Sequence, residues 1–127
     1  MIDGEGRVSF GALRFSIRPG KRLEGEPVPE WEYKKSLSYG TIRQTLCIRT
    51  RQPGDFLVIN REGGRKKLGD YLTDQKVPVR IRDQIPLVTD GSRILWVVGF
   101  RISEDAKVDP GQDFVEITLE NPEELPR

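Results

Sequence analysis

Ile85-Pro-Leu-Val-Thr-Asp-Gly-Ser-Arg-Ile-Leu-Trp-Val-Val98 is the stretch whose reading settles the architecture. Two apolar runs flank Asp90-Gly91, a residue pair that favours a tight hairpin connection because both positions tolerate positive φ. The second run, Ile94 to Val98, is apolar at every position instead of at alternate ones. A strand of that kind is covered on both faces. A layered domain is therefore expected, with Trp96 in its core.

Outward from the hairpin, further strands are expected. Residues 7–18 alternate, with Phe15 and Ile17 set against Arg14, Ser16 and Arg18, and predict a strand or hairpin ending at Pro19-Gly20. Lys21 to Tyr39 has no clean period and reads as an irregular excursion, in which Trp31 and Tyr33 are candidates for exposed, base-stacking aromatics. Leu46 to Arg51 alternates and stops at the turn signal Pro53-Gly54. Cys47, the only cysteine, is expected there as a small buried hydrophobe, on one face with Arg49 and Arg51. Phe56 to Ile59 is a short apolar strand. Leu68, Tyr71, Leu72 and Gln75 keep three-four spacing and predict a helix ending before Pro78, with one further turn over residues 79–84. Phe114 to Leu119 alternates as a last strand, and residues 120–127 read as a polar tail.

A chain of 127 residues, 35% hydrophobic and 32% charged, suits one soluble, strand-rich domain. No window reaches the roughly 18 apolar residues a membrane helix needs, and the N-terminus is too polar for a signal peptide, so a cytoplasmic location is expected. With no histidine and a single cysteine, the commonest general base near neutral pH is missing and a zinc site cannot be built. The nucleotide phosphate loop and the Gly-x-Ser-x-Gly elbow are also missing. No catalytic residue, metal or cofactor is expected on this chain.

The net charge of +1 conceals an uneven distribution: residues 43–82 carry ten basic and four acidic side chains, residues 104–127 two basic and eight acidic. A basic block of that density points to a polyanion such as nucleic acid. The competing reading is a solvated face balanced by the acidic C-terminal segment. Gly63-Gly64 leads into Arg65-Lys66-Lys67 at the predicted helix start, where the dipole would favour acids. That is the pattern of an anion-binding helix N-terminus. Arg65, Lys66 and Lys67 are thus candidate phosphate contacts, joined by Arg49 and Arg51. Each further arginine also has a structural reading: Arg51 paired with Asp55, Arg82 with Asp70 or Asp83, and Arg101 with Glu104.

In order along the chain come Ile48-Arg-Thr-Arg-Gln-Pro-Gly-Asp55, Gly63-Gly-Arg-Lys-Lys-Leu-Gly-Asp-Tyr-Leu72, Lys76-Val-Pro78, Arg82-Asp83, Ile85-Pro-Leu-Val88 and Ile94-Leu-Trp-Val-Val-Gly-Phe-Arg101. This succession closely resembles the C-terminal domain of bacterial tRNA(Ile)-lysidine synthases over about residues 46–108. The resemblance implies an α+β, strand-rich layered domain: a β-sandwich of unusual topology with one or two short helices, similar to a module of the phenylalanyl-tRNA synthetase β subunit. It implies that residues 1–127 form a single tRNA-recognition domain holding the acceptor stem of tRNA(Ile). The catalytic N-terminal domain, expected to be absent here, would use ATP and Mg to adenylate the wobble cytidine and join lysine to it. On that resemblance the RNA-binding residues are Arg65, Lys66, Lys67, Arg49, Arg51, Arg61, Lys76, Arg80, Arg82 and Arg101. The implied partners are tRNA(Ile) and the parent enzyme's own catalytic domain, with a homodimer left open. Many family members follow the Gly-Asp element with Arg-Phe and a proline, whereas this chain has Phe56-Leu-Val-Ile59, which makes Arg61 the less secure contact. The alternative is a noncatalytic protein-interaction or structural module docking its basic face on an acidic partner surface.

Overall fold

The computed structural model describes residues 6–21, 32–38, 40, 42 and 46–126. In chain order the elements are β1 (Gly6–Phe10), β2 (Leu13–Lys21), β3 (Lys34–Ser38), β4 (Leu46–Arg49), β5 (Phe56–Val58), β6 (Arg65–Lys67), α1 (Leu68–Asp74), α2 (Val79–Arg82), β7 (Leu87–Asp90), β8 (Arg93–Val97) and β9 (Asp113–Leu119). The fold is α+β and strand-rich, as expected. An antiparallel sheet runs β1-β2-β9-β3, and a second sheet runs β4-β7-β8-β5-β6 with β5 and β8 parallel.

Strand periodicity explains how the layers stack. Phe15 and Ile17 of β2, Leu37 of β3, and Val115, Ile117 and Leu119 of β9 meet Leu46, Val88, Leu95 and Trp96 from the second sheet. On the other side of that second sheet, Leu57, Leu87, Ile94 and Val97 pack against Leu68, Tyr71 and Leu72 of α1. The second sheet is therefore a middle layer, and residues 94–98 are each at most 2% exposed. That is the double coverage their unbroken apolar run calls for.

Several expectations need correction. The first hairpin turns at Gly11-Ala12, where Gly11 has φ 59°, and β2 continues through Pro19-Gly20 to Lys21. Pro19 sits within β2 opposite Val115 of β9. A Cβ at Gly20 would lie 2.4 Å from the Phe114 ring, so a side chain there would require that ring to shift. Within the irregular excursion, β3 is ordered by pairing with β9, and Tyr33 packs half-buried against the core beside Gly99 instead of standing exposed. Trp31 lies outside the described residues. The Asp-Gly hairpin turns one residue later than expected, at Gly91-Ser92, because Asp90 pairs with Arg93 in the ladder and their side chains meet at 2.9 Å. Cys47 is half-buried, since β4 is an edge strand and Leu46 takes the core-facing position.

The helix expected from Leu68, Tyr71 and Leu72 is α1, and the further turn is α2. Lys76 adopts φ 57° directly after α1; its amide donates to the Thr73 carbonyl and that of Val77 to the Leu72 carbonyl. This is the double closure that usually employs glycine at the left-handed position. Among the described residues no helix is long and apolar enough to cross a membrane.

The polar tail is anchored. Asn121 is 3% exposed; its Oδ1 accepts from the Arg14 amide and its Nδ2 donates to the Ala12 carbonyl, both at 2.8 Å, while Leu125 packs on the core. Replacing Asn121→Ala removes both bonds at a buried position and is expected to lower the unfolding free energy by about 1–3 kcal/mol. A urea melt measures this, and an unchanged midpoint would show that the Asn121 side chain does not anchor the tail.

Candidate nucleic-acid interface

The segment 48–55 is organised by a carboxylate. Asp55 is 5% exposed and accepts from Arg49 Nη2 at 2.8 Å, from Arg49 Nη1 at 2.9 Å, and from the Gln52 amide at 2.8 Å. Arg49 also donates to the carbonyls of Thr50 and Gly91, each at 2.9 Å. The guanidinium is thereby held more firmly protonated than usual, chiefly by its hydrogen bonds to Asp55. Its donors point inward, so Arg49 stands apart from the exposed cations it was grouped with. The pairing is also shifted: Asp55 takes Arg49, while Arg51 reaches Asp83 at 2.7 Å.

Gly63-Gly64 and the cations after it belong to a different structure from the one their order suggests. Residues 65–67 form strand β6, paired with β5 as Phe56↔Lys67, Leu57↔Lys66 and Val58↔Arg65. The glycines close the β5–β6 loop. Gly63 has φ 86°, the Ile59 amide donates to the Gly64 carbonyl at 2.9 Å, and the Gly64 amide donates to Asn60 Oδ1 at 2.8 Å. The helix starts only at Leu68, whose amide donates to the Asp55 carbonyl at 3.1 Å. A seven-residue helix preceded by a paired strand is not the expected anion-binding N-terminus. Extension wins because β6 fills the edge beside β5, and basic side chains on an edge also discourage pairing with another chain.

Period two then divides the three cations. Arg65 and Lys67 share one face of the hairpin with Phe56, while Lys66 shares the other with the buried Leu57 and pairs with Asp74 of α1. Arg65 lies over the Phe56 ring, its guanidinium carbon 4.2 Å from the centroid. Phe56 carried no functional signal when read as one residue of an apolar strand; its alternation with a basic strand across the hairpin is the signal that would have found it.

Two clefts meet at Phe56. One, of about 660 Å³, lies between the Pro53-Gly54 turn and the β6–α1 junction, with Arg51, Lys67, Asp70 and Asp83 on its walls. The other, of about 360 Å³, lies between the β5–β6 hairpin and residues 104–112, with Arg61 and Arg65 facing Glu104 and Asp105. Among the described residues, Arg61, Arg65, Lys67 and Lys76 make no ion pair, and all four are exposed. Arg80 is exposed on α2. Arg82 brackets the two helices through the Val77 carbonyl at 2.9 Å and the Thr73 hydroxyl at 3.2 Å, not through Asp70 or Asp83. Arg101 donates to the Ile102 carbonyl and approaches Glu104 at 3.5 Å, but the nearer cation to Glu104 is Lys107 at 2.8 Å. Lys107 is also the main reason the Glu104 carboxyl lies below its ordinary range.

Residues 46–119 match the family described as the TilS substrate C-terminal domain. The chain is 42% identical over 78 residues to the tRNA(Ile)-lysidine synthase of Caldanaerobacter subterraneus subsp. tengcongensis, covering 61% of this chain and 17% of that protein. It is 34% identical over 93 residues to the tRNA(Ile)-lysidine synthase of Clostridium tetani, covering 72% of this chain and 20% of that one. The chain thus spans about a fifth of the length of the curated relatives it matches. A crystal structure of a TilS C-terminal domain superposes with a TM-score of 0.73 at 25% identity, over 93% of this chain and 92% of the other.

The two ion pairs of segment 48–55 should differ sharply in weight. Asp55→Ala leaves the largely buried Arg49 guanidinium without its carboxylate and is expected to cost about 3 kcal/mol of stability, whereas Arg51→Ala breaks a solvated pair worth less than about 1 kcal/mol. Chemical denaturation of both variants decides this, and equal losses would refute the assignment of Asp55 as the organising group.

Proposed function

The chain belongs to the TilS substrate C-terminal domain family, and from that premise we propose that it grips the acceptor stem of tRNA(Ile) for a tRNA(Ile)-lysidine synthase. The chain contributes binding and orientation. The joining of lysine to the wobble cytidine, with the ATP and Mg that step uses, belongs to a catalytic domain of the parent enzyme, acting in the cytoplasm.

The observation that carries this reading is the set of exposed cations without ion pairs around β6 and α1: Arg61, Arg65, Lys67 and Lys76. A-form RNA hides its base edges in a deep, narrow major groove, so a protein meets it mainly through phosphates and 2′-hydroxyls. Cations that project from a rigid hairpin and a helix end suit that task. Lys66 and Arg51 stand in exposed pairs with Asp74 and Asp83, and such pairs are worth under about 1 kcal/mol, so a phosphate can take the carboxylate's place. Arg80 and Arg82 lie on α2, and Arg80 is exposed there. Arg49 serves this surface only by supporting the segment that carries it.

Lys76 supports the reading from another direction. A left-handed residue other than glycine costs roughly 1–2 kcal/mol, and the helix closure would be met better by glycine. A lysine held there is one kept for its charge.

Two outcomes follow. The double change Lys67→Ala/Lys76→Ala should flatten the slope of log affinity against log salt, measured with an acceptor-stem RNA hairpin, by about 1.5 units, as loss of two phosphate contacts requires. An unchanged slope defeats the assignment. Lys76→Gly alone should raise the unfolding free energy by about 1 kcal/mol while weakening RNA binding; a gain in stability with no change in affinity would mean the lysine has no part in RNA recognition.

A further inference from the structure

Phe56 lines both clefts, and Arg65 is laid across its ring. The register produces this contact: Val58 lies opposite Arg65 and Phe56 opposite Lys67, so Arg65 and Phe56 are diagonal neighbours on one face of the hairpin, a spacing that long side chains span. Arg65 is exposed and, among the described residues, makes no ion pair. Its guanidinium carbon sits 4.2 Å from the centroid of the Phe56 ring on an otherwise exposed side chain.

A simple phosphate contact does not require this arrangement. A lysine, or an arginine free in water, neutralises a phosphate equally well, whereas a guanidinium positioned over an aromatic ring offers a planar, delocalised surface. Nucleobases stack on such planes. Lys67 stands in the cleft on one side of Phe56 and Arg61 in the cleft on the other. A nucleotide on this platform would have a cation toward each of its flanking phosphates, the combination of stacking surface and electrostatic groove used for single strands. Bases inside a duplex have both faces occupied by their neighbours. An unpaired nucleotide has a face to offer.

We propose that the Arg65–Phe56 stack is a binding site for an unpaired nucleobase adjoining the RNA duplex, with Arg61 and Lys67 on the phosphates beside it. The inference rests on the RNA-binding reading and adds to it a preference for a single-stranded end that phosphate contacts alone would not give.

The test compares three RNA hairpins with one common stem: blunt, extended by four unpaired 3′ nucleotides, and extended by four abasic residues that keep the phosphates. Fluorescence anisotropy with the chain should show the base-bearing extension binding on the order of tenfold tighter than the blunt hairpin, with the abasic extension recovering little of that gain. Arg65→Lys keeps the charge and loses the plane. It should abolish the advantage of the extension, read as the ratio of extended to blunt affinity for the same variant. The proposal is overturned if the extension gives no advantage, if abasic residues give the full advantage, or if Arg65→Lys retains it. In each of those cases salt-dependent binding of the blunt hairpin leaves the phosphate-gripping function standing. If no hairpin binds even at low salt, both fall.

Discussion

Asp55 accepts three hydrogen bonds on its carboxylate, two from Arg49 and one from the Gln52 amide, and a fourth on its backbone carbonyl from the first residue of α1. Arg49 in turn holds the carbonyl of Gly91 at the tip of the β7–β8 hairpin. One buried pair thus links an edge strand, a proline-glycine turn, the central hairpin and the outer helix. Its contribution is geometric as well as energetic. A carboxylate shielded from water is costly unless its acceptor sites are filled, and the surrounding loops fill them only in one arrangement. The β6 strand that carries Arg65 and Lys67 runs directly into the helix start that Asp55 holds.

The second constraint is that β8, the central strand of the middle sheet, has no free face. Ile94 and Val97 are committed to α1, and Leu95 and Trp96 to the opposing sheet. A layer packed on both sides transmits little deformation, which would suit the RNA-gripping surface proposed above.

The cations of residues 43–82 form one block in sequence, yet they do not form one surface. Arg49 is internal, Lys66 turns to Asp74, Arg51 turns to Asp83, and Arg82 braces the helices. What remains exposed is a smaller and more defined set, which makes the electrostatic footprint weaker than the charge count implies and its geometry more specific. The separation arises because a strand alternates its side chains while the carboxylates that could pair with them are fixed on neighbouring elements.

Apolar periodicity by itself determined the layered, strand-rich class, the covered strand Ile94–Val98, the helix presenting Leu68, Tyr71 and Leu72, and the final strand, because burial on one or both faces leaves its period in the order of residues. The ordered motifs likewise determined the family. Tertiary structure alone decided what could not be local. Arg65-Lys66-Lys67 extends because β5 offers it an edge to pair with. Asp55 selects Arg49 over Arg51 because the β7–β8 turn brings a carbonyl to the same guanidinium. Asn121 ends as a buried clamp because β9 delivers it beside the first hairpin. In each case the deciding partner lies on another element, and spacing along one segment holds no record of it.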